Sequence, residues 1–236
     1  MKKREADLPL WQEVIVLLVL ALGLAVVLKA LFVQAFYIPS DSMRDTLIVN
    51  DRILVQKVSY WFDGEPQRGD IVVFKDPGGW LGDTVGSEPN SFTRALEFFG
   101  LYPTGDHLVK RVIGVGGDRV ACCDDEGRVT INGAPLDESD YLMPGMKPGA
   151  GEGGTFDVTV PEGKLWVLGD NRAQSADSRV HIGDPGGGFI PVDDVVGKVF
   201  LTVWPPSRIS VTDHPEAFDA IPAEPETATD EDSAGR

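Results

Sequence analysis

His107-Leu108-Val109-Lys110-Arg111-Val112-Ile113-Gly114-Val115 is an apolar, largely β-branched run with a lone basic pair inside it, followed by Gly116-Gly117-Asp118. Such a run, closed by turn residues, reads as a strand. The pattern repeats on either side of it, at residues 53–55, 70–74, 119–122, 128–131, 156–160, 164–168 and 195–204. Gly, Pro, Asn and Asp separate these segments, and Ile131-Asn132-Gly133-Ala134 carries the Asn-Gly signal of a tight hairpin. No helical period of useful length follows residue 40. The fold class is therefore mainly β: antiparallel sheet in a partly open, barrel-like domain.

The N-terminus is different. Val14 to Leu28 is uncharged and Ala30 to Phe36 extends it past Lys29, so the stretch from Val14 to Val33 gives about 30 Å of helix, enough for a bilayer core. The sequence predicts a single transmembrane anchor over residues 10–36, with Lys29 snorkelling outward and Trp11 at the opposite interface. Lys2, Lys3 and Arg4 precede the span, which predicts a cytoplasmic N-terminus (1–9) and an extracytoplasmic domain (37–211) in the cell membrane. A cleaved signal peptide is the alternative, because Val33-Gln34-Ala35 resembles a small-residue cleavage site; the same site would permit self-cleavage.

Soon after the apolar run comes Pro39-Ser40-Asp41-Ser42-Met43. Six residues span at most about 21 Å, so Ser42 is held close to the membrane surface. A serine hydroxyl is a weak nucleophile until a base takes its proton. Lysine does this only when neutral, and burial among apolar groups such as Leu108, Val109, Val112 and Ile113 favours that form. Lowering its pKa by about two units costs roughly 2.7 kcal/mol of differential solvation. A loop serine and a strand lysine are nevertheless ordinary residues by themselves, and a third feature is needed to join them.

That feature is Gly169-Asp170-Asn171-Arg172-Ala173-Gln174-Ser175-Ala176-Asp177-Ser178-Arg179, which follows the apolar strand ending at Leu168. The three motifs in order, Pro-Ser-x-Ser-Met, Lys-Arg-Val-Ile-Gly-x-x-Gly-Asp and Gly-Asp-Asn-Arg-x-x-Ser-x-Asp-Ser-Arg, resemble those of bacterial type I signal peptidase. That family, peptidase family S26, comprises membrane-bound Ser/Lys endopeptidases that remove signal peptides from exported proteins. The resemblance runs from Trp11 to Pro206. It implies Ser42 as nucleophile and Lys110 as general base, with Ser175 orienting the lysine. The Ser40 hydroxyl and the Ser42 N–H would form the oxyanion hole. Arg111, Asp170, Asp177 and Arg179 match the charged scaffold that holds the last motif against the lysine strand, and Met43 would pack under the site. Phe36, Ile38, Leu47, Val109 and Ala176 match the walls that admit small substrate side chains, though each is also an ordinary core residue. The chain departs from the family where Asp45-Thr46-Leu47 replaces the common Pro-Thr-Leu, which removes a fixed φ from the nucleophile loop.

The implied partners are secretory preproteins and the phospholipid membrane. No cofactor is implied. The net charge of −16 is inflated by a tail from Thr212 with eight acidic residues against one basic, so it says little about partners. No basic stripe speaks for nucleic acid. The tail composition predicts disorder over residues 212–236. Two regions, about 78–104 and 119–163, read as insertions within the β domain. The rings of the first (Trp80, Phe98, Phe99, Tyr102) either pack over the core or, with Phe36, Tyr37 and Trp204, dip into the lipid interface. Cys122 and Cys123 are adjacent, which strains an ordinary disulfide, and the few histidines offer no metal set. His107 lies three residues from Lys110 and in a regular strand faces the other sheet surface, which disfavours a Ser/His/Asp triad. Two other classes compete: a soluble self-cleaving repressor of the Ser/Lys type, which should carry a DNA-binding module, and an inactive β module, which should lack Ser42, Lys110 or Ser175.

Overall fold

A computed structural model describes residues 9–60, 64–82 and 107–223, except for the side chains of residues 28–30. The predicted environment of Lys29, and the rings Phe98, Phe99 and Tyr102, lie outside the described residues. Helix α1 spans Leu10–Phe32, 23 residues of almost unbroken apolar sequence. Its Leu10–Val27 stretch, with mean hydropathy 2.4, is long and apolar enough to cross a membrane.

The helix stops four residues short of the expected boundary at Phe36. Val33–Tyr37 forms strand β1 instead, paired along its whole length with β2 (Arg52–Gln56), for example Ala35 opposite Leu54. Hydropathy cannot show this change, since both conformations accept these side chains. Pairing with a distant strand overrides the helical run, and the Lys57 N–H donates to the Phe32 carbonyl at 3.0 Å to close the junction. Val33-Gln34-Ala35 is thus part of a hydrogen-bonded ladder, and a cut after Ala35 would remove the first half of β1.

The remaining strands are β3 (Ile71–Lys75), β4 (His107–Val115), β5 (Arg119–Cys122), β6 (Val129–Ile131), β7 (Ala134–Pro135), β8 (Phe156–Thr159), β9 (Lys164–Leu168), β10 (Ile190–Pro191), β11 (Val195–Trp204) and β12 (Ser210–Val211). An eight-stranded sheet runs in the order β1-β2-β11-β3-β4-β9-β10, with β12 on β11; a four-stranded sheet runs β7-β6-β5-β8. Every pairing is antiparallel. The large sheet stays open, with β1 and β10 at its ends, so the barrel does not close. The second inserted region is the small sheet with its loops. Its Asn132-Gly133 turn has φ of 55° and 85°, the paired positive values that a two-residue hairpin requires.

β4 lies in the middle of the large sheet, between β3 and β9. Leu108 and Val112 pack with Val72, Phe74 and Val167 in one apolar cluster, to which Trp80 also contributes. A second cluster, with Phe36, Ile38, Met43, Leu47, Ile53 and Val73, lies beneath the loop joining β1 to β2. Met43 is 1% exposed and does pack under the site. Trp80 takes the packing role: it stacks on His181 at 4.2 Å and meets Phe74 edge-on at 5.9 Å. Tyr37 and Trp204 remain exposed, whereas Phe36 is buried. Cys122 and Cys123, expected not to pair readily, are joined to each other in a disulfide.

The C-terminal segment overturns a further expectation. Disorder was expected from Thr212, yet the chain continues as ordered structure to residue 223. Phe218 and Ile221 enter the core between the two sheets, and Phe218 stacks on Tyr141 at 6.1 Å. Average composition hid these two anchors among acidic neighbours. Phe218→Ala should therefore destabilise the protein by about 3–5 kcal/mol, measured by denaturant unfolding. A change below about 0.5 kcal/mol, the level of an ordinary surface substitution, would place the segment outside the core.

Candidate active site

The loop between β1 and β2 carries Ser40 and Ser42. It is closed at its base where the Ile38 N–H donates to the Asp51 carbonyl at 2.9 Å and the Asn50 N–H to the Ile38 carbonyl at 3.0 Å. Within it Asp45 has φ of 87°, a left-handed conformation that a proline ring forbids. Asp45 in place of the proline of the common pattern is compatible with this backbone, since Asp is among the residues that tolerate the region. Thr46 next to it still donates its hydroxyl to Asp170 Oδ2 at 2.5 Å.

Lys110 comes to Ser42 from the middle of β4. Its Nζ donates to Ser42 Oγ at 2.8 Å and to the Val109 carbonyl at 3.1 Å. The lysine is 3% exposed. Burial lowers its pKa from 10.5 to about 8, against the opposing pull of the Asp177 and Asp170 carboxylates. At this value on the order of a tenth to a fifth of the amine is neutral near physiological pH, against roughly one part in a thousand for an ordinary lysine. Ser40 Oγ lies 3.4 Å from Ser42 Oγ, on the exposed side of the loop.

The segment after β9 supports both groups. Arg111 forks onto Asp170, Nε to Oδ1 at 2.9 Å and Nη2 to Oδ2 at 2.7 Å, and both side chains are buried. This pair links the lysine strand to the last motif. Asp177 and Arg179 instead pair with each other at 2.8 Å, within their own turn. Asp177 also accepts the Gly169 N–H at 3.0 Å, while Arg179 reaches the carbonyls of Ala150 and Arg172. Gly169 is required by crowding, because a Cβ there would collide with Ser175 Oγ and the Ser42 carbonyl.

Ser175 differs from the expectation. Its hydroxyl is buried with no hydrogen-bond partner, since the lysine amine is turned to Ser42 and the Val109 carbonyl.

Sequence reasoning missed several supports. The Asn171 N–H donates to the Ser42 carbonyl at 3.0 Å and its side-chain amide to the Asp41 carbonyl at 3.0 Å, so it holds the Ser42 loop directly. Arg172 is buried against Glu138, which also accepts the Tyr141 hydroxyl at 2.6 Å. No local signal marks these partners; an Asn inside a polar motif and a Glu in a Gly/Pro-rich insertion read as solvated.

Beside Ser42 and Lys110 runs a predominantly apolar groove of 270 Å³. Phe36, Ile38 and Val109 line it, together with Pro39, Leu81 and His107. Leu47 does not: it is 1% exposed in the core beneath the loop. Ala176 is exposed and outside the groove, because its neighbours Ser175 and Asp177 take the inward positions. His107 tilts against Phe36 at 5.3 Å. A larger, more polar recess of 710 Å³ includes Leu47 and Arg111 but neither Ser42 nor Lys110. The paired amine and hydroxyl lie at the smaller groove.

A partly neutral amine bonded to a serine hydroxyl, at the head of an apolar groove, is an arrangement in which the amine can draw the proton from the hydroxyl, as the activated serine of a hydrolase requires. Residues 11–204 match the family described as signal peptidase, peptidase S26. The probable signal peptidase I of Mycobacterium leprae (strain TN) is 43% identical over 238 residues, covering 88% of this chain and 79% of its own length. Signal peptidase I of Mycobacterium tuberculosis (strain ATCC 25618 / H37Rv) is 44% identical over 222 residues, covering 85% and 74%. The crystal structure of a signal peptidase I from Enterococcus faecalis V583 is 27% identical, with a TM-score of 0.35, covering 57% of this chain and 96% of that one. The chain belongs to the signal peptidase I family, peptidase S26, and is a hydrolase of that family.

Removing the carboxylate of Asp170 leaves Arg111 charged and buried. Asp170→Asn should cost about 3–5 kcal/mol in denaturant unfolding. It should also lower the Lys110 pKa, since Asp170 raises it.

Proposed function

We propose that this chain is a membrane-anchored serine endopeptidase that removes N-terminal signal peptides from exported preproteins, cutting after a small-x-small motif. The observation that carries the reading is the 2.8 Å contact between Lys110 Nζ and Ser42 Oγ. Neutral Lys110 takes the proton from Ser42 Oγ as that oxygen attacks the scissile carbonyl. The developing oxyanion is met by the Ser42 N–H and the Ser40 hydroxyl. The lysine ammonium then gives its proton to the leaving amine, which separates from the acyl-enzyme. Water, deprotonated by Lys110, attacks the ester and frees Ser42. In its charged form Lys110 has three donors, two of which already have partners in Ser42 and Val109. The uncommitted hydroxyl of Ser175 suits the third, which gives that serine its orienting role.

The groove fits an extended segment with small side chains, because shallow apolar walls exclude larger groups. Phe36, Ile38 and Val109 form those walls. Helix α1 is the membrane anchor, with the N-terminus cytoplasmic and the β domain extracytoplasmic. β1 follows it directly, so the groove lies within a few residues of the bilayer. Tyr37 and Trp204, 43% and 50% exposed, would face the lipid interface. Preproteins arriving in the same membrane meet the site at raised effective concentration.

Purified full-length protein in detergent and lipid should cut a preprotein after a small-x-small site. Ser42→Ala and Lys110→Ala should each reduce kcat by about four orders of magnitude or more. Retained cutting by Ser42→Ala would sink the proposal. Because the base must be neutral, kcat/KM should fall about tenfold per pH unit on the acid side, with its midpoint at about 8. A rate that is flat between about pH 6 and 9 would mean that another group is the base.

A further inference from the structure

The family match ends at residue 204, yet the chain beyond it returns to the nucleophile loop. After β11 a short turn at Pro206–Arg208 leads into β12, which pairs back on β11. Arg208, on this turn, donates Nε to Asp51 Oδ1 at 3.0 Å, and Nη2 to Asp51 Oδ2 at 3.0 Å and to the Thr46 carbonyl at 3.2 Å. Asp51 is 0% exposed and closes the loop, accepting the Ile48 N–H on its carboxylate and the Ile38 N–H on its carbonyl. Thr46 is held from both sides, its hydroxyl by Asp170 and its carbonyl by Arg208. Asp51 and Thr46 thus fix the downstream half of the loop that carries Ser42.

We propose that Arg208 is a positioning residue for the hydrolysis, holding the Ser42 loop in register with Lys110 through Asp51 and the Thr46 carbonyl; this rests on the reading of Ser42 as nucleophile. Only a guanidinium fork satisfies a carboxylate and a carbonyl together, which an ammonium does incompletely. Truncation leaves a buried carboxylate short of partners, and the loop relaxes to hydrate it. Of the groove walls, Phe36 and Val109 stand on β1 and β4, which the Arg208 side chain does not bond among the described residues, whereas the Ile38 N–H is tied to the Asp51 carbonyl. Loss of the arginine therefore acts chiefly on the reaction step, which needs the Ser42–Lys110 contact, and to a smaller extent on binding, through Ile38.

The test compares wild type, Arg208→Ala, Arg208→Lys, Ser42→Ala and Arg119→Ala, full-length in detergent and lipid, by kcat and KM on a preprotein and by thermal melting. Arg119 pairs with Asp157 on the small sheet and is exposed, so it serves as the control. Arg208→Ala should lose about tenfold to a hundredfold in kcat with a much smaller change in KM, Arg208→Lys should recover part of the kcat, and Arg119→Ala should match wild type. Full kcat in Arg208→Ala, or a loss that tracks only the fraction folded at the assay temperature, overturns the inference. If Arg208→Ala does not fold, Arg208→Gln, which keeps a donor for the Thr46 carbonyl, decides it on the same split between kcat and KM. An active Ser42→Ala would remove the nucleophile reading as well; an inactive one beside a fully active Arg208→Ala removes the positioning role alone.

Discussion

The structure depends on a lysine amine kept out of water beside a serine hydroxyl. Burial lowers the Lys110 pKa from 10.5 to about 8, which corresponds to roughly 3 kcal/mol of disfavoured charge. Two carboxylates, Asp177 and Asp170, act in the opposite direction. Each is engaged by its own arginine, Arg179 and Arg111 respectively, which limits how far their charge restores the ammonium. The lysine is thus poised between forms: fully buried without carboxylates it would be a weak base, and exposed to water it would stay protonated.

Three chain segments distant in sequence produce this balance. β4 supplies the lysine from the sheet centre, where apolar neighbours on adjoining strands exclude water. The loop between β1 and β2 brings the serine, supported from below by Met43 and Leu47. The turn after β9 locks the two together through Asn171 on the loop backbone and Asp170 on Thr46 and Arg111. Buried ion pairs of this kind contribute little net stability, because desolvation offsets their attraction. They specify one arrangement, which keeps Lys110 Nζ 2.8 Å from Ser42 Oγ.

Much of the fold was legible because its strands are short, β-branched and separated by turn residues. The boundaries expected for β4, β5, β9 and β11 agree with the structure, as does the Asn132-Gly133 turn. Ser42 and Lys110 were legible through motif order, and the structure brings them into contact. What escaped reading depends on partners far away in the chain. β1 looked like the end of a membrane helix because only its pairing with β2 makes it a strand. Phe218 and Ile221 were lost in an acidic average, and Glu138, Asn171 and Asp51 read as surface polar groups until Arg172, the Ser42 loop and Arg208 supplied their setting. Leu47 and Ala176 match a family wall pattern, but side-chain direction, which spacing alone leaves open here, sends one into the core and the other to solvent.

The central claim is that Lys110 is a buried amine, substantially neutral near pH 8, because water is kept from it. Titrating its Nζ directly, by NMR of the full-length protein labelled at lysine and assigned by its loss in Lys110→Ala, measures that property without reference to turnover. A midpoint of about 8 is predicted; a midpoint near the ordinary lysine value of about 10.4 would contradict the account.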